Sequence, residues 1–131
     1  MNAATRFRQA AEAKDIAAAE ELFAPDIVFH SPVTFHPFTG RETVTELLKI
    51  VADTFEDFRY TDEIGTGDVH GLIFRASING RELEGIDLLR LDSDGLIEDF
   101  TVMIRPMSGL VPFAQAMGEK VQAAGIATTR A

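Results

Sequence analysis

The chain has 131 residues, 46% of them hydrophobic, and its 21 acidic against 12 basic residues give a formal charge of −9. That length and apolar content suit one domain spanning residues 1–131, with a single core and room for a small cavity. The acidic balance disfavours nucleic acid and anionic membrane surfaces as partners, since both need a basic footprint, and the absence of cysteine removes disulfides, thiolate nucleophiles and thiolate metal sites.

Residues 3–24 read as helix, interrupted near Lys14-Asp15, where Asp15 caps a second segment carrying Ile16, Ala19, Leu22 and Phe23 at helical spacing. Pro25-Asp26 stops it. The alternation of Ile27, Phe29 and Ser31 predicts a short strand, and the prolines from Pro32 to Pro37 predict a loop or irregular hairpin as far as Gly40. In residues 41–55, Val44, Leu47, Leu48, Val51 and Phe55 form the stripe of an amphipathic helix.

Four strands follow, at about 58–64, 69–78, 81–91 and 96–105, separated by Gly65-Thr66-Gly67-Asp68, Asn79-Gly80 and Asp92-Ser93-Asp94-Gly95. Of these, Asn79-Gly80 is the strongest turn signal, because a type I′ hairpin needs positive φ at both central residues. A last helix at about 108–124 starts at Ser108, buries Phe113, Met117 and Val121, and ends at Gly125. Helices first and a strand meander afterwards make an α+β domain with a curved antiparallel sheet wrapped around the early helices. No apolar run approaches the roughly 20 residues of a membrane span, and the charged, Ala-rich N-terminus lacks the apolar centre of a signal peptide. The expectation is a cytoplasmic protein.

The two-residue turn sets a register. If Ile78 faces Arg81, Phe74 faces Gly85 and Leu72 faces Asp87. Asp87 then lies on the apolar face of its strand, with Leu83, Gly85, Leu89 and Leu91. Pairing Leu91 with Leu96 would set Asp87 opposite Phe100, beside Val102 and Ile104. Such walls desolvate a carboxylate and raise its pKa toward the range of a general acid or base. His70, one diagonal step away, would do the opposite as an ion-pair partner. The plainer alternative is that Asp87 bonds a backbone amide or a tyrosine inside a filled core.

The series Asp15 to Phe23, Asp26-Ile27-Val28-Phe29-His30-Ser31-Pro32-Val33, Gly40-Arg41, Gly85-Ile86-Asp87-Leu88-Leu89-Arg90-Leu91 and Gly95-Leu96-Ile97 resembles the nuclear transport factor 2-like superfamily. Its SnoaL-like and ketosteroid-isomerase-like branch is the best fit, over residues 5–105. The resemblance implies a cone-shaped, cystatin-like fold with an internal cavity. It does not imply one function, since the superfamily hosts isomerases, cyclases, hydrolases, dehydratases and non-catalytic binders.

By the resemblance, Asp87 occupies the position of the protonated aspartic acid that stabilises an enolate oxygen in ketosteroid isomerase, a standard case of a neutral donor acid. Phe7 stands where that enzyme has a donating tyrosine, and Ser31 before Pro32 stands where it has the base. Phenylalanine cannot donate and a lone serine is a poor base, so the usual steroid isomerisation is not expected. Epoxide hydrolysis is disfavoured too, because Gly85 stands where relatives carry an arginine.

His30, His36 and His70 remain as replacement bases, or as surface and packing residues. Their spacing gives no metal signature, and no cofactor is implied. Phe7, Phe29, Ser31 and Phe55 are expected to line the cavity together with Leu72, Phe74, Leu89, Phe100, Val102 and Ile104 of the sheet. The expected occupant is a small hydrophobic molecule, carbonyl-bearing or polycyclic. A cofactor-free isomerase or cyclase and a non-catalytic binding or dimerisation module both fit. The outer sheet face, with Ile86, Leu88, Thr101 and Met103, resembles family dimer surfaces and predicts a homodimer.

Overall fold

A computed structural model describes residues 1–126. Two short helices, α1 (Ala3–Glu12) and α2 (Ile16–Glu20), are followed by strands β1 (Phe23–His30) and β2 (Phe38–Thr39) and helix α3 (Arg41–Thr54). Strands β3 (Glu56–Thr66), β4 (Val69–Ile78), β5 (Arg81–Leu91) and β6 (Ile97–Arg105) precede helix α4 (Met107–Ala123). The strands form one mixed sheet in the order β2-β1-β6-β5-β4-β3, antiparallel except where β1 runs parallel to β6. None of these helices is long and apolar enough to cross a membrane.

Asp15 separates the first two helices as an N-cap, accepting a 3.1 Å hydrogen bond from the Ala18 amide. The helical stripe proposed from sequence overruns, however. Phe23 opens β1, and Pro25 lies inside that strand instead of ending a helix. A proline is tolerated there because the pairing of β1 with β6 skips between Phe23 and Val28, so no ladder donor is required of it.

The turn at Asn79-Gly80 sets the expected register, pairing Ile78 with Arg81, Phe74 with Gly85 and Leu72 with Asp87. The next turn departs from expectation. The Asp92 carboxylate accepts from the amides of Asp94 and Leu96, and the ladder slips between Arg90 and Leu91. Asp87 therefore faces Val102, and Phe100 faces Leu89. The displacement is two residues, which preserves the side-chain face, so Phe100 still points inward.

Helix α4 begins behind Pro106, with no side-chain cap from Ser108. It ends in a Schellman motif, the Ile126 amide bonding the Val121 carbonyl and the Gly125 amide that of Gln122, with Gly125 at φ +72°. Helices α1, α3 and α4 cover one face of the sheet. Phe23, Ile27, Leu72, Phe74, Leu89, Ile97 and Phe100 are fully enclosed between them.

The other face is only partly apolar. The register aligns Ile73, Ile86 and Met103 across three strands, and Leu88 and Thr101 across two. Met103 is 53% exposed. An ionic row of Arg75, Glu84 and Arg105 borders this stripe.

Candidate functional site

Asp87 is 5% exposed on the covered face of β5. Among the described residues its carboxyl meets one polar side chain: the Tyr60 hydroxyl donates a 2.7 Å hydrogen bond to Oδ2. Two local features bring Tyr60 there. Along an unbroken strand it would share a face with Ile64, which is 56% exposed. A register shift between Tyr60 and Asp62 reverses the alternation, so Tyr60 turns inward opposite Phe74. Phe74 in turn lies over Gly85, where an added Cβ would come within 2.4 Å of its ring and 2.6 Å of the Met103 carbonyl. Gly85 thus clears the space in which Phe74 and Tyr60 stand edge to face, 6.3 Å apart at 89°.

Burial pushes the Asp87 carboxyl from 3.8 up to about 7, against the smaller downward pull of the Tyr60 hydrogen bond. Burial, then the Asp87 charge, raises the Tyr60 phenol well above its usual value of 10.0. Tyr60 therefore stays a neutral donor. The Arg8 guanidinium lies 5.9 Å from the centre of its ring.

Both residues line a cavity of about 250 Å³ between the sheet and the helices. Its walls are Phe7 of α1, Leu47, Leu48 and Val51 of α3, Phe113 and Met117 of α4, and Phe29, Phe74, Phe100 and Val102 of the sheet. Lys14, Ser31, Thr34, Tyr60 and Asp87 supply its polar or charged side chains. With Oδ2 held by Tyr60, Oδ1 of Asp87 is the oxygen free to meet a cavity occupant. An acid that titrates near neutrality in an apolar enclosure can donate a hydrogen bond or proton when neutral and accept a proton when ionised.

Of the residues singled out from sequence, Phe7, Phe29, Ser31, Phe55, Phe74, Phe100 and Val102 line this cavity with Asp87. Leu72 and Leu89 do not: both are fully enclosed in the core behind it. Ile104 packs against the core and lines a separate shallow groove with His30 and Phe35.

The histidines lie elsewhere. His30 Nε2 sits 3.1 Å from Asp99 Oδ2 on the opposite side of the sheet. His36 is half-buried in the loop before β2 and is not among the cavity residues. His70 is buried, but its Nε2 lies 2.8 Å from the Gly67 carbonyl, a bond that closes its own turn and gives Asp87 no partner. Among the described residues no cluster of three or more His, Asp or Glu side chains could hold a metal ion.

Tyr60 is not among the site residues expected from sequence, although its bond to Asp87 is the tyrosine contact of the plainer alternative, formed beside a cavity and not in a filled core. It is the chain's single tyrosine and lies on a predicted strand, but only the register shift turns it toward Asp87. Phe7 of α1 packs edge-on against Phe100, with ring centroids 5.2 Å apart.

Residues 4–100 match the SnoaL-like domain. Comparison with curated proteins finds no match. A steroid delta-isomerase from Pseudomonas aeruginosa superposes with a TM-score of 0.88 at 36% identity, covering 95% of this chain and 93% of that one. An uncharacterised bacterial protein with a cystatin-like fold from Silicibacter pomeroyi reaches 0.90 at 29% identity, covering 94% and 87%. A nuclear transport factor 2-like protein of unknown function from Mesorhizobium loti gives 0.71 at 23% identity, covering 79% and 88%.

Proposed function

We propose that this chain, which belongs to the SnoaL-like domain family, binds a small hydrophobic carbonyl compound in its apolar cavity and uses Asp87 as the acid that engages the carbonyl oxygen. The observation that carries this reading is a buried carboxyl tied at Oδ2 to Tyr60 and lining a largely apolar cavity, where burial pushes its pKa up to about 7. When Asp87 is neutral and Tyr60 donates to Oδ2, the proton belongs on Oδ1, facing the ligand. Tyr60, Asp87 and the ligand oxygen then form a chain of hydrogen bonds whose members polarise one another.

The number of groups limits the chemistry. Moving a proton from carbon to carbon needs a base as well as an acid, and none of the three histidines lines the cavity. Isomerisation would thus require Asp87 to collect and return the proton itself. In a cyclisation, attack from within the same molecule on the carbonyl carbon lets Asp87 donate its proton to the carbonyl oxygen, and the proton that the nucleophile releases then returns to the Asp87 carboxylate. The neighbouring steroid delta-isomerase supports proton-transfer chemistry on this fold. A cavity of about 250 Å³, just under the roughly 300–1,000 Å³ typical of ligand sites, suits ligands of one or two rings better than four.

Non-catalytic binding is the second reading, favoured by the lack of a histidine or a second carboxylate among the described residues that line the cavity. The stripe of Ile73, Ile86 and Met103 on the outer sheet face supports association with a second copy of the chain.

Calorimetric titration of one- and two-ring ketones tests the ligand reading. Affinity should fall in Asp87→Asn and fall again for the wild type between pH 5.5 and 8.5. Equal affinity for both proteins at both pH values would reject it.

A further inference from the structure

We propose that the ligand of this cavity carries a carboxylate at the end opposite its carbonyl, and that Lys14 at the rim holds it; this rests on the carbonyl-binding reading above. The cavity is polarised along its depth. Tyr60 and Asp87 are buried, whereas Lys14, Val33 and Gly118 are cavity residues that also reach solvent and so mark its opening. Among the described residues that line the cavity, Lys14 is the one cation.

Three observations separate Lys14 from an ordinary surface lysine. First, its backbone is left-handed, at φ +55°, in the Schellman turn that ends α1, with its amide bonded to Ala11 and that of Asp15 to Ala10. Glycine or asparagine relieves that position, so a lysine there carries a local conformational cost, the kind of strain that gathers at functional sites. Second, its ammonium makes no ion pair or hydrogen bond among the described residues. The adjacent acids are engaged elsewhere, Glu12 with Arg8 and Asp15 with the Ala18 amide. Third, the chain carries a net charge of −9, which opposes entry of an anion, and a cation at the opening counters that field locally. The Ser31 and Thr34 hydroxyls accept from the amides of Val33 and His36, which leaves their hydrogens free to donate to the same carboxylate.

The occupant is thus a hydrophobic keto acid, with its carbonyl at Asp87 and its carboxylate at Lys14. The test titrates one- and two-ring aryl keto acids, each beside its methyl ester, into the wild type, Lys14→Gln, Lys14→Arg and Asp87→Asn at low salt. The acid should bind the wild type roughly three- to fivefold more tightly than the ester, the scale of one solvent-exposed ion pair. Lys14→Gln should abolish that preference with the ester unaffected, and Lys14→Arg should keep it. Added salt should erode it. Equal binding of acid and ester to the wild type, with both weakened by Asp87→Asn, would overturn the role of Lys14 and leave the carbonyl reading standing. Preference retained in Lys14→Gln would also overturn it. Failure of both compounds to bind would overturn both readings.

Discussion

The Tyr60 hydroxyl donates to Oδ2 of Asp87 at 2.7 Å, joining the chain's single tyrosine to the one buried carboxyl among the described residues. This bond leaves one carboxyl oxygen for the cavity and opposes the rise in pKa that burial imposes.

Tyr60→Phe removes the donor and keeps the ring. The Asp87 pKa should move above about 7, since the lost bond favoured the ionised form. The stability cost should be about 1 kcal/mol at pH 5 and larger at pH 8, because hydrogen bonds to a charged acceptor are the stronger ones. Urea unfolding of both proteins at the two pH values measures this difference.

Asp87 should also govern how stability changes with pH. Its carboxyl ionises near 3.8 when unfolded and at about 7 when folded. Between those values the folded state holds a proton that the unfolded chain has released, so stability is fully present below the unfolded pKa and is lost as pH rises through the folded one. Three pKa units set a scale of about 4 kcal/mol. The stability of the wild type relative to Asp87→Asn should decline by that order between pH 4 and pH 8. A flat difference would show that the carboxyl titrates normally.

Gly85→Ala places a methyl group against the Phe74 ring and the Met103 carbonyl. The backbone oxygen cannot yield as a side chain can, so a loss of about 1–3 kcal/mol is expected. Displacement of Phe74 should also disturb Tyr60, weakening ketone binding beyond the loss of stability. Thermal unfolding and titration of the same variant separate the two effects.

Ile86 stands between Ile73 and Met103 at the centre of the outer stripe. Ile86→Lys should convert a dimer into a monomer in sedimentation velocity while leaving ketone affinity unchanged, because the cavity lies on the opposite face. A wild type that sediments as a monomer would refute the association.

The legibility of this fold tracked the regularity of its turns. Asn79-Gly80 specifies one hairpin type, and the ladder from Ile78 and Arg81 to Leu72 and Asp87 runs without interruption, so counting from the turn places the acid correctly. At Asp92 the side chain takes over the turn, through bonds to two amides that composition does not reveal, and the partner of Asp87 becomes Val102. Its face was still readable because a two-residue slip preserves alternation. Tyr60 was not readable, since a single extra residue on β3 inverts the face and nothing between Tyr60 and Asp62 announces it. His70 illustrates a further limit. Its place on the inner face was correct, but a carbonyl within its own turn competes for the ring.

The most direct measurement is the Asp87 pKa, from carboxyl-carbon NMR with Asp87→Asn used to assign the resonance. A value of about 7 that moves further when a one- or two-ring ketone is added is the predicted result. A value at or below the ordinary ~4, unmoved by any ketone, would contradict the neutral acid at the centre of this account.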